Sequence, residues 1–376
     1  MSVVEPFVVA LSEQALGDLH DRLRRTRWPD QPEGLGWELG MDVAYLRELC
    51  AHWLEAYDPA RLENSLNGFA NFRWDGIHFI HERAGVGEGA GEQPKLPIML
   101  VHGWPGGPIE FVKVIPRLLD AGHDIVVPSL PGYAFSDAPP RPLNAAGTAE
   151  RLLALIGVLG YERCALQGGD WGAAITFQMA RRAHEQFAAL HINAVSVLPA
   201  PADLTDPPLS EAEQEFIQRG MRWRTREGHH LLLHSAAPDA VAVAFNDSPA
   251  GLAAWLVEKY RRWSDCEGDV ERRFSKDDLC DFFTMYWATG TIAPSLRLYW
   301  AERRERSRLP AGERVTVPAA VADFPVEIVR APRDWAERLL ADIRRWTEMP
   351  RGGHFAAFEE PELLSGDVIE FLAEID

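Results

Sequence analysis

Cysteine is scarce in this chain, and the common metal-binding spacings of histidine are missing. The 376 residues include only four cysteines, with no C-x-x-C pair among them: Cys50, Cys164, Cys266 and Cys280. Scattered cysteines in this number predict reduced thiols and argue against a disulfide framework. The 12 histidines include no H-E-x-x-H spacing, and His229-His230 alone is a weak pair of ligands. We therefore expect no metal site.

Basic residues and long apolar runs are also in short supply. Lys and Arg number 38 against 56 Asp and Glu, which gives a formal net charge of −18. This excess of negative charge repels phosphate groups, so nucleic acid and anionic membranes are not expected partners. No stretch approaches the roughly 18 apolar residues of a membrane span, and the N-terminus lacks a basic-then-apolar signal pattern. Together these absences predict a soluble, cytoplasmic protein.

The residues that are present predict a large α/β protein. Its length suits either two domains or one α/β domain with an insertion. Residues 1–70 have helical periodicity and are interpreted as an extension packed on the core. Strands and helices then alternate over 71–199, which predicts a parallel sheet, and the strand pattern resumes within 296–376, at 324–329. The helical, aromatic segment 200–295 is interpreted as an inserted lid, with a separate domain as the alternative.

The stretch from Cys164 to Ala174 contains the first catalytic candidate. An apolar strand leads into Gly168-Gly169-Asp170-Trp171-Gly172, and an alanine-rich helix follows. This strand–turn–helix pattern is typical of a nucleophile elbow, with Asp170 where serine usually stands. A carboxylate is already an anion at neutral pH, so it suits displacement at an sp³ carbon and formation of an alkyl ester. The alternative is a structural aspartate that caps the helix.

Three further stretches are candidates for the same site. His354 follows the last predicted strand, and the order nucleophile, acid, histidine is that of α/β-hydrolases. Glu327 lies in an apolar stretch where a carboxylate needs a partner, and its competitors as the acid are Asp323, Asp334 and Asp342. The glycine-rich loop after the strand at 96–101 predicts an oxyanion hole formed by the backbone amides of Trp104 and Trp171.

Gly85 to Gly91 predicts the turn of a hairpin.

These stretches give the chain a resemblance to the microsomal-type epoxide hydrolase family over nearly its whole length. The motifs that carry it are His102–Gly106, Gly168–Gly172, Asn246–Ala254, Trp287–Ile292, Phe324–Glu327 and Arg351–Leu363. The helical part with Thr26–Asp30 is similar to the N-terminal extension of this family. Membrane-anchored relatives carry a leading hydrophobic helix, and its absence leads us to expect a soluble bacterial-type member.

The resemblance implies an α/β-hydrolase fold, a mostly parallel sheet with helices on both faces, and a helical lid. It also implies a reaction that needs water and no cofactor. Asp170 attacks an epoxide carbon and forms an ester. His354, oriented by Glu327, then activates water to hydrolyse that ester, while the amides of Trp104 and Trp171 hold the oxyanion. The aromatic lid suggests a bulky or aromatic epoxide. The sequence is also compatible with a homo-oligomer.

The proton donor for the ring oxygen departs from the family pattern. The family uses two lid tyrosines; Tyr299 matches one, and the other falls at His230. Three alternatives stay open: His230 replaces the tyrosine, Tyr299 acts alone, or His230 is a bystander. We hypothesise that histidine in place of tyrosine at position 230 is linked to an unusual substrate.

Two other functions compete with epoxide hydrolysis. A haloalkane dehalogenase shares the aspartate nucleophile but needs a pair of side-chain N–H donors for halide, of which Trp171 is one candidate. Tyr299, the N-terminal extension and the H-G-W-P motif argue against it. A non-catalytic ligand-binding protein is the other alternative, because the fold alone does not determine function.

Overall fold

A nine-stranded sheet forms the centre of the computed structural model, which describes residues 3–85 and 95–375. The spatial order of the strands is β1-β2-β3-β5-β4-β6-β7-β8-β9. Strands β1, β2, β3 and β5 pair antiparallel, and every pairing from β5 through β4 to β9 is parallel. The strand bounds are β1 Glu5–Phe7, β2 Asn71–Trp74, β3 Ile77–Glu82, β4 Ile98–Val101, β5 Ile125–Pro128, β6 Cys164–Gly168, β7 Phe187–Ile192, β8 Ala319–Asp323 and β9 Ile343–Glu348.

Fifteen α-helices surround this sheet in the described residues. Their bounds are α1 Glu13–Arg24, α2 Val43–Glu55, α3 Ala60–Asn67, α4 Ile115–Asp120, α5 Ala145–Leu159, α6 Asp170–Arg182, α7 Glu211–Arg226, α8 His229–Ala236, α9 Pro238–Asp247, α10 Pro249–Trp263, α11 Lys276–Thr289, α12 Ile292–Arg304, α13 Arg333–Glu337, α14 Ala356–Glu359 and α15 Pro361–Ala373. Ser12 and Asp42 cap α1 and α2 by accepting hydrogen bonds from first-turn amides.

The central parallel strands are continuous apolar runs. Every residue of β4 and β6 is buried, as expected for strands covered on both faces. Helix α6 packs on β4, β6 and β7. Its N-terminus therefore lies at the carboxyl ends of these strands, where open α/β sheets bind ligands.

Helices α7 to α12 follow one another between β7 and β8 without an intervening strand. Helix α12 crosses the boundary predicted at residue 296, so the helical insertion runs on to Arg304. The N-terminal helices pack on α10 and α11 of this insertion. There, Trp53 donates a hydrogen bond from Nε1 to Thr284 Oγ1 (2.8 Å), and the Tyr57 hydroxyl donates to Asp281 Oδ1 (2.7 Å). The N-terminal residues thus contact the helical insertion as well as the sheet.

The prediction for residues 324–329 is wrong. The strand in this region is β8, and residues 324–329 form a loop beyond it, with one isolated bridge between Val326 and Gly353. Pro325 explains the difference, because proline has no N–H for a sheet ladder. Glu327 consequently lies on a loop at the carboxyl end of β8, in reach of the neighbouring loops.

Two smaller predictions also differ from the structure. The first 70 residues are not wholly helical, because β1 adds an edge strand through its pairing with β2. The predicted glycine-rich turn lies outside the described residues from position 86 onward. The strands on either side of it are not hairpin partners, since β5 lies between β3 and β4.

Among the described residues, no single helix is both long and apolar enough to cross a bilayer. The pair α9 and α10 meets the length and composition criteria only jointly, across a bend of 118°.

Candidate active site

Asp170 lies at the sharp turn between β6 and α6. Its φ angle is +49°, a conformation that side-chain-bearing residues rarely adopt and that is common at functional sites. Gly172 lets the turn approach β4, because a Cβ there would lie 1.9 Å from the carbonyl oxygen of Val101. The alternative that Asp170 caps the helix is wrong, since Gly169 is the N-cap residue and Asp170 begins the helix.

The loop after β4 contacts the Asp170 carboxylate directly. The backbone N–H of Trp104 donates a hydrogen bond to Asp170 Oδ1 at 2.8 Å. Gly103 makes this approach possible, because a Cβ on it would lie 2.3 Å from the same oxygen. Trp171 is the second residue of α6, where backbone amides have no partner inside the helix and favour negative charge. The two predicted oxyanion residues therefore flank the carboxylate.

The imidazole of His354 lies between two carboxylates. Its Nε2 is 3.5 Å from Asp170 Oδ2, and its Nδ1 is 2.8 Å from Glu327 Oε1. The histidine and glutamate side chains are only 5% and 7% exposed, whereas that of Asp170 is 26% exposed. The backbone N–H of His354 donates to the Trp263 carbonyl at 2.9 Å and holds the loop in place. The nucleophile candidate is thus the most accessible of the three.

The three competing aspartates do not occupy the position of Glu327. Asp323 and Asp342 form ion pairs with Arg330 and Arg344, and Asp334 lies in the first turn of α13. Only Glu327 among the four candidates is hydrogen-bonded to His354.

The two carboxylates control the protonation of His354. Burial by itself disfavours the imidazolium, but the carboxylates of Glu327 and Asp170 outweigh it and hold the pKa of His354 well above its ordinary value. The ring is therefore a cation while both neighbours are charged.

A cavity of about 350 Å³ opens above Asp170. This aromatic cavity has a largely apolar lining that includes Trp171, Phe216, Trp223, Trp263, Tyr299 and Trp335. Tyr299 meets the Trp171 ring edge-on at a centroid distance of 4.8 Å. His230, on α8, also lines the cavity, stacks on Trp104, and lies 6.0 Å from Tyr299 between ring centroids. All seven predicted site residues therefore converge on one end of the sheet.

Comparisons with known proteins show which family the chain belongs to. Residues 4–111 match the family model for the epoxide hydrolase N terminus, and residues 97–227 match that for the alpha/beta hydrolase fold. Epoxide hydrolase 1 of Oryctolagus cuniculus is 34% identical, over 99% of this chain and 89% of that protein. The chain belongs to the epoxide hydrolase family. This result confirms the resemblance, and with it the expectation that the protein is an enzyme.

Solved structures of family members confirm the α/β-hydrolase fold of the enzyme. The juvenile hormone epoxide hydrolase of the silkworm Bombyx mori superposes with a TM-score of 0.90 at 30% identity, covering 100% of this chain and 95% of that one. The Aspergillus niger epoxide hydrolase superposes with a TM-score of 0.85 at 26% identity, covering 100% and 97%.

Sequence analysis missed a second histidine on α8 of the enzyme. His234 is fully buried, and its ring centroid lies 4.7 Å from that of Trp104 and 4.9 Å from that of Tyr299. Its spacing of four from His230 was the available signal, because residues i and i+4 share one face of a helix. Burial, reinforced by the buried Lys259 cation, lowers the pKa of His234 to about 3 and holds that of His230 well below its ordinary value. Both rings are neutral at pH 7.

Proposed function

We propose that this epoxide hydrolase converts an epoxide to a vicinal diol through an ester on Asp170. The observation that carries the proposal is the placement of the His354 imidazole between Asp170 and Glu327, at the floor of an aromatic cavity. A carboxylate nucleophile, a base and an orienting acid are the groups that a two-step displacement needs.

In the first step, an Asp170 oxygen attacks an epoxide carbon and the carbon–oxygen bond of the ring breaks. The departing ring oxygen takes a proton from Tyr299. Burial, together with the charge of Asp170, holds the pKa of the Tyr299 phenol well above its ordinary value, so the phenol is protonated and able to donate. Neutral His230 donates a hydrogen bond to the same oxygen from the other side of the cavity.

In the second step, His354 takes a proton from water and the water oxygen attacks the ester carbonyl carbon. The amides of Trp104 and Trp171 stabilise the oxyanion. Collapse of the intermediate breaks the ester bond, and the leaving alkoxide takes the proton from His354. The proton of the resulting Asp170 carboxylic acid passes to the imidazole, which restores the resting carboxylate and imidazolium.

Ester formation itself prepares His354 for the second step. The negative charge of Asp170 is one of the contributions that raise the pKa of the imidazole, and esterification removes it. The imidazole therefore releases its proton more readily once the ester exists, and that proton passes through solvent to the tyrosinate of Tyr299. This timing matches the need for a base only after alkylation.

The aromatic lining of the cavity favours a bulky apolar or aromatic epoxide. A panel of aryl and alkyl epoxides, assayed for diol, tests this preference, and bulky aryl substrates are expected to give the highest kcat/KM. The same panel includes haloalkanes. Halide release without any diol formation would instead support the dehalogenase alternative, and turnover of neither class would support a binding protein.

We also propose a cytoplasmic location for the enzyme. All four cysteines are buried and free, which suits a reducing compartment. Fractionation of the native host tests this, and recovery from an extracytoplasmic fraction would contradict it.

The proton donors are tested by substitution at positions 299 and 230. Tyr299→Phe should slow single-turnover ester formation by roughly 10²- to 10⁴-fold, because the ring oxygen loses its acid. His230→Phe should slow it by about tenfold, the effect of one lost hydrogen bond. Quenching of tryptophan fluorescence during a single turnover measures the rate of ester formation in each variant. Tyr161→Phe, far from the cavity, is the matched control.

An unchanged rate in His230→Phe would make His230 a bystander and leave Tyr299 as the acid. His230→Tyr tests the link to substrate. If that variant has the same rate and pH profile as the parent on every epoxide in the panel, the hypothesis that His230 is linked to an unusual substrate is wrong.

A further inference from the structure

A second, much smaller cavity adjoins the proposed nucleophile and base. Its volume is about 20 Å³, and a cavity needs roughly 10–15 Å³ to hold one water molecule. Among the described residues, only Asp170 and His354 line both this cavity and the aromatic one. The nucleophile and base candidates therefore lie between the aromatic cavity, which suits a substrate, and the small cavity, which suits a single water molecule.

Gln167 contributes an unpaired acceptor to the small cavity. The residue is 1% exposed, and its Nε2 donates a hydrogen bond to Asn193 Oδ1 at 3.0 Å. This bond orients the amide, yet its oxygen, Oε1, is buried and has no hydrogen-bond partner in the described part of the chain. A buried acceptor left without a partner costs roughly 1–3 kcal/mol, so a donor molecule at this position is strongly favoured.

Glu110 contributes a hydrogen-bond donor to the small cavity. Its Oε1 accepts a hydrogen bond from the backbone N–H of Gly107 at 3.0 Å, and the residue lines the small cavity. Burial, with a smaller contribution from the charge of Asp170, raises the pKa of Glu110 to about 8. The carboxyl group is thus mostly protonated at pH 7, and its proton lies on Oε2, because the carbonyl oxygen is the better acceptor for Gly107.

We propose that this cavity binds the hydrolytic water, with Glu110 and Gln167 as the residues that position it. Once the ester exists and the imidazole is neutral, the water donates one hydrogen bond to His354 Nε2 and one to Gln167 Oε1, and it accepts one from the hydroxyl of Glu110. Its remaining lone pair is then directed toward the Asp170 carboxyl carbon. Buried waters in proteins typically make about three hydrogen bonds, which is the number available here.

This inference rests on the proposed function and refines its second step. His354 removes one proton of the positioned water, and the water oxygen bonds to the ester carbon. The alkoxide that leaves takes that proton, so neither Glu110 nor Gln167 gains or loses one. Because the epoxide approaches Asp170 from the aromatic cavity, ester formation does not involve the water. Substitutions at Glu110 and Gln167 should therefore affect hydrolysis only.

The test separates the two steps in Gln167→Met and Glu110→Leu. Rapid quenching and intact-mass spectrometry with an aryl epoxide measure the rates at which the ester appears and disappears. We expect hydrolysis to slow by roughly 10- to 100-fold in each variant, with ester formation within about twofold of the parent. Glu110→Gln keeps an acceptor for Gly107 and a donor for water, so it should recover most of the hydrolysis rate lost in Glu110→Leu.

Gln178→Met is the matched control. Gln178 is also 1% exposed and donates to the Ser307 carbonyl, but it lines neither cavity. Wild-type hydrolysis rates in both Gln167→Met and Glu110→Leu would overturn the proposal. An equal slowing of ester formation and hydrolysis would also overturn the proposal, because that pattern means that the two residues only stabilise the local structure of the site. If instead the parent enzyme and His354→Gln form no ester at all, the proposed function itself fails.

Discussion

A His354→Gln variant should form an ester on Asp170 and then stop. Alkylation needs only the carboxylate and a proton donor, whereas hydrolysis needs a base to activate water. Loss of a general base should slow hydrolysis by roughly 10²- to 10⁴-fold. The glutamine amide still offers an N–H to Glu327, whose Oε1 would otherwise keep only the backbone N–H of Ile328 as a donor.

Intact-mass spectrometry after exposure to an epoxide measures this result. The adduct should equal the mass of the whole epoxide, because ring opening expels no leaving group, and peptide mapping should locate it on Asp170. An adduct that forms only from haloalkanes and lacks the halogen would indicate a dehalogenase. Diol formation at the parental rate would show that His354 is not the base.

An Asp170→Asn variant should lose both steps. Asparagine is close in size to aspartate and still accepts the hydrogen bond that Trp104 donates, but its neutral amide is a poor nucleophile. We expect diol formation to fall by about 10⁴- to 10⁶-fold, the range seen when a nucleophile that acts with a base is removed.

The two variants together give a distinctive pattern. No epoxide adduct should accumulate in Asp170→Asn or in the double variant Asp170→Asn/His354→Gln, while His354→Gln alone accumulates one. Thermal unfolding serves as the control for folding, and the midpoints of the single variants should lie close to that of the parent. An adduct on a residue other than Asp170 would refute the nucleophile assignment.

The turn around Asp170 was predictable because its constraints are local. The turn needs a residue without a Cβ where α6 meets β4, and the glycine spacing on either side of Asp170 shows this in the sequence. The chain order of nucleophile, acid and histidine similarly pointed to His354, although Glu327 had three competitors until its hydrogen bond with the ring was observed.

The wrong predictions concern pairings between distant segments. Strand β1 has only three residues, and its partner begins at Asn71, more than sixty positions away. No local periodicity reveals such a pair. The apolar stretch at 324–329 resembles a strand by composition, but Pro325 and the bridge to Gly353 make it a loop. That difference matters, because the loop allows Glu327 to reach His354.

The family, the fold and the proposed catalytic groups could be predicted from the sequence, because they depend on residue types at short, recognisable spacings. The protonation of the buried groups and the separation of the two cavities could not, because both depend on how distant segments pack. Glu110, Gln167 and His354 come from three distant segments, and their shared cavity exists only when β4, β6 and the last loop pack together. Burial then sets their protonation, because a charge loses its hydration there, and burial is a property of the fold.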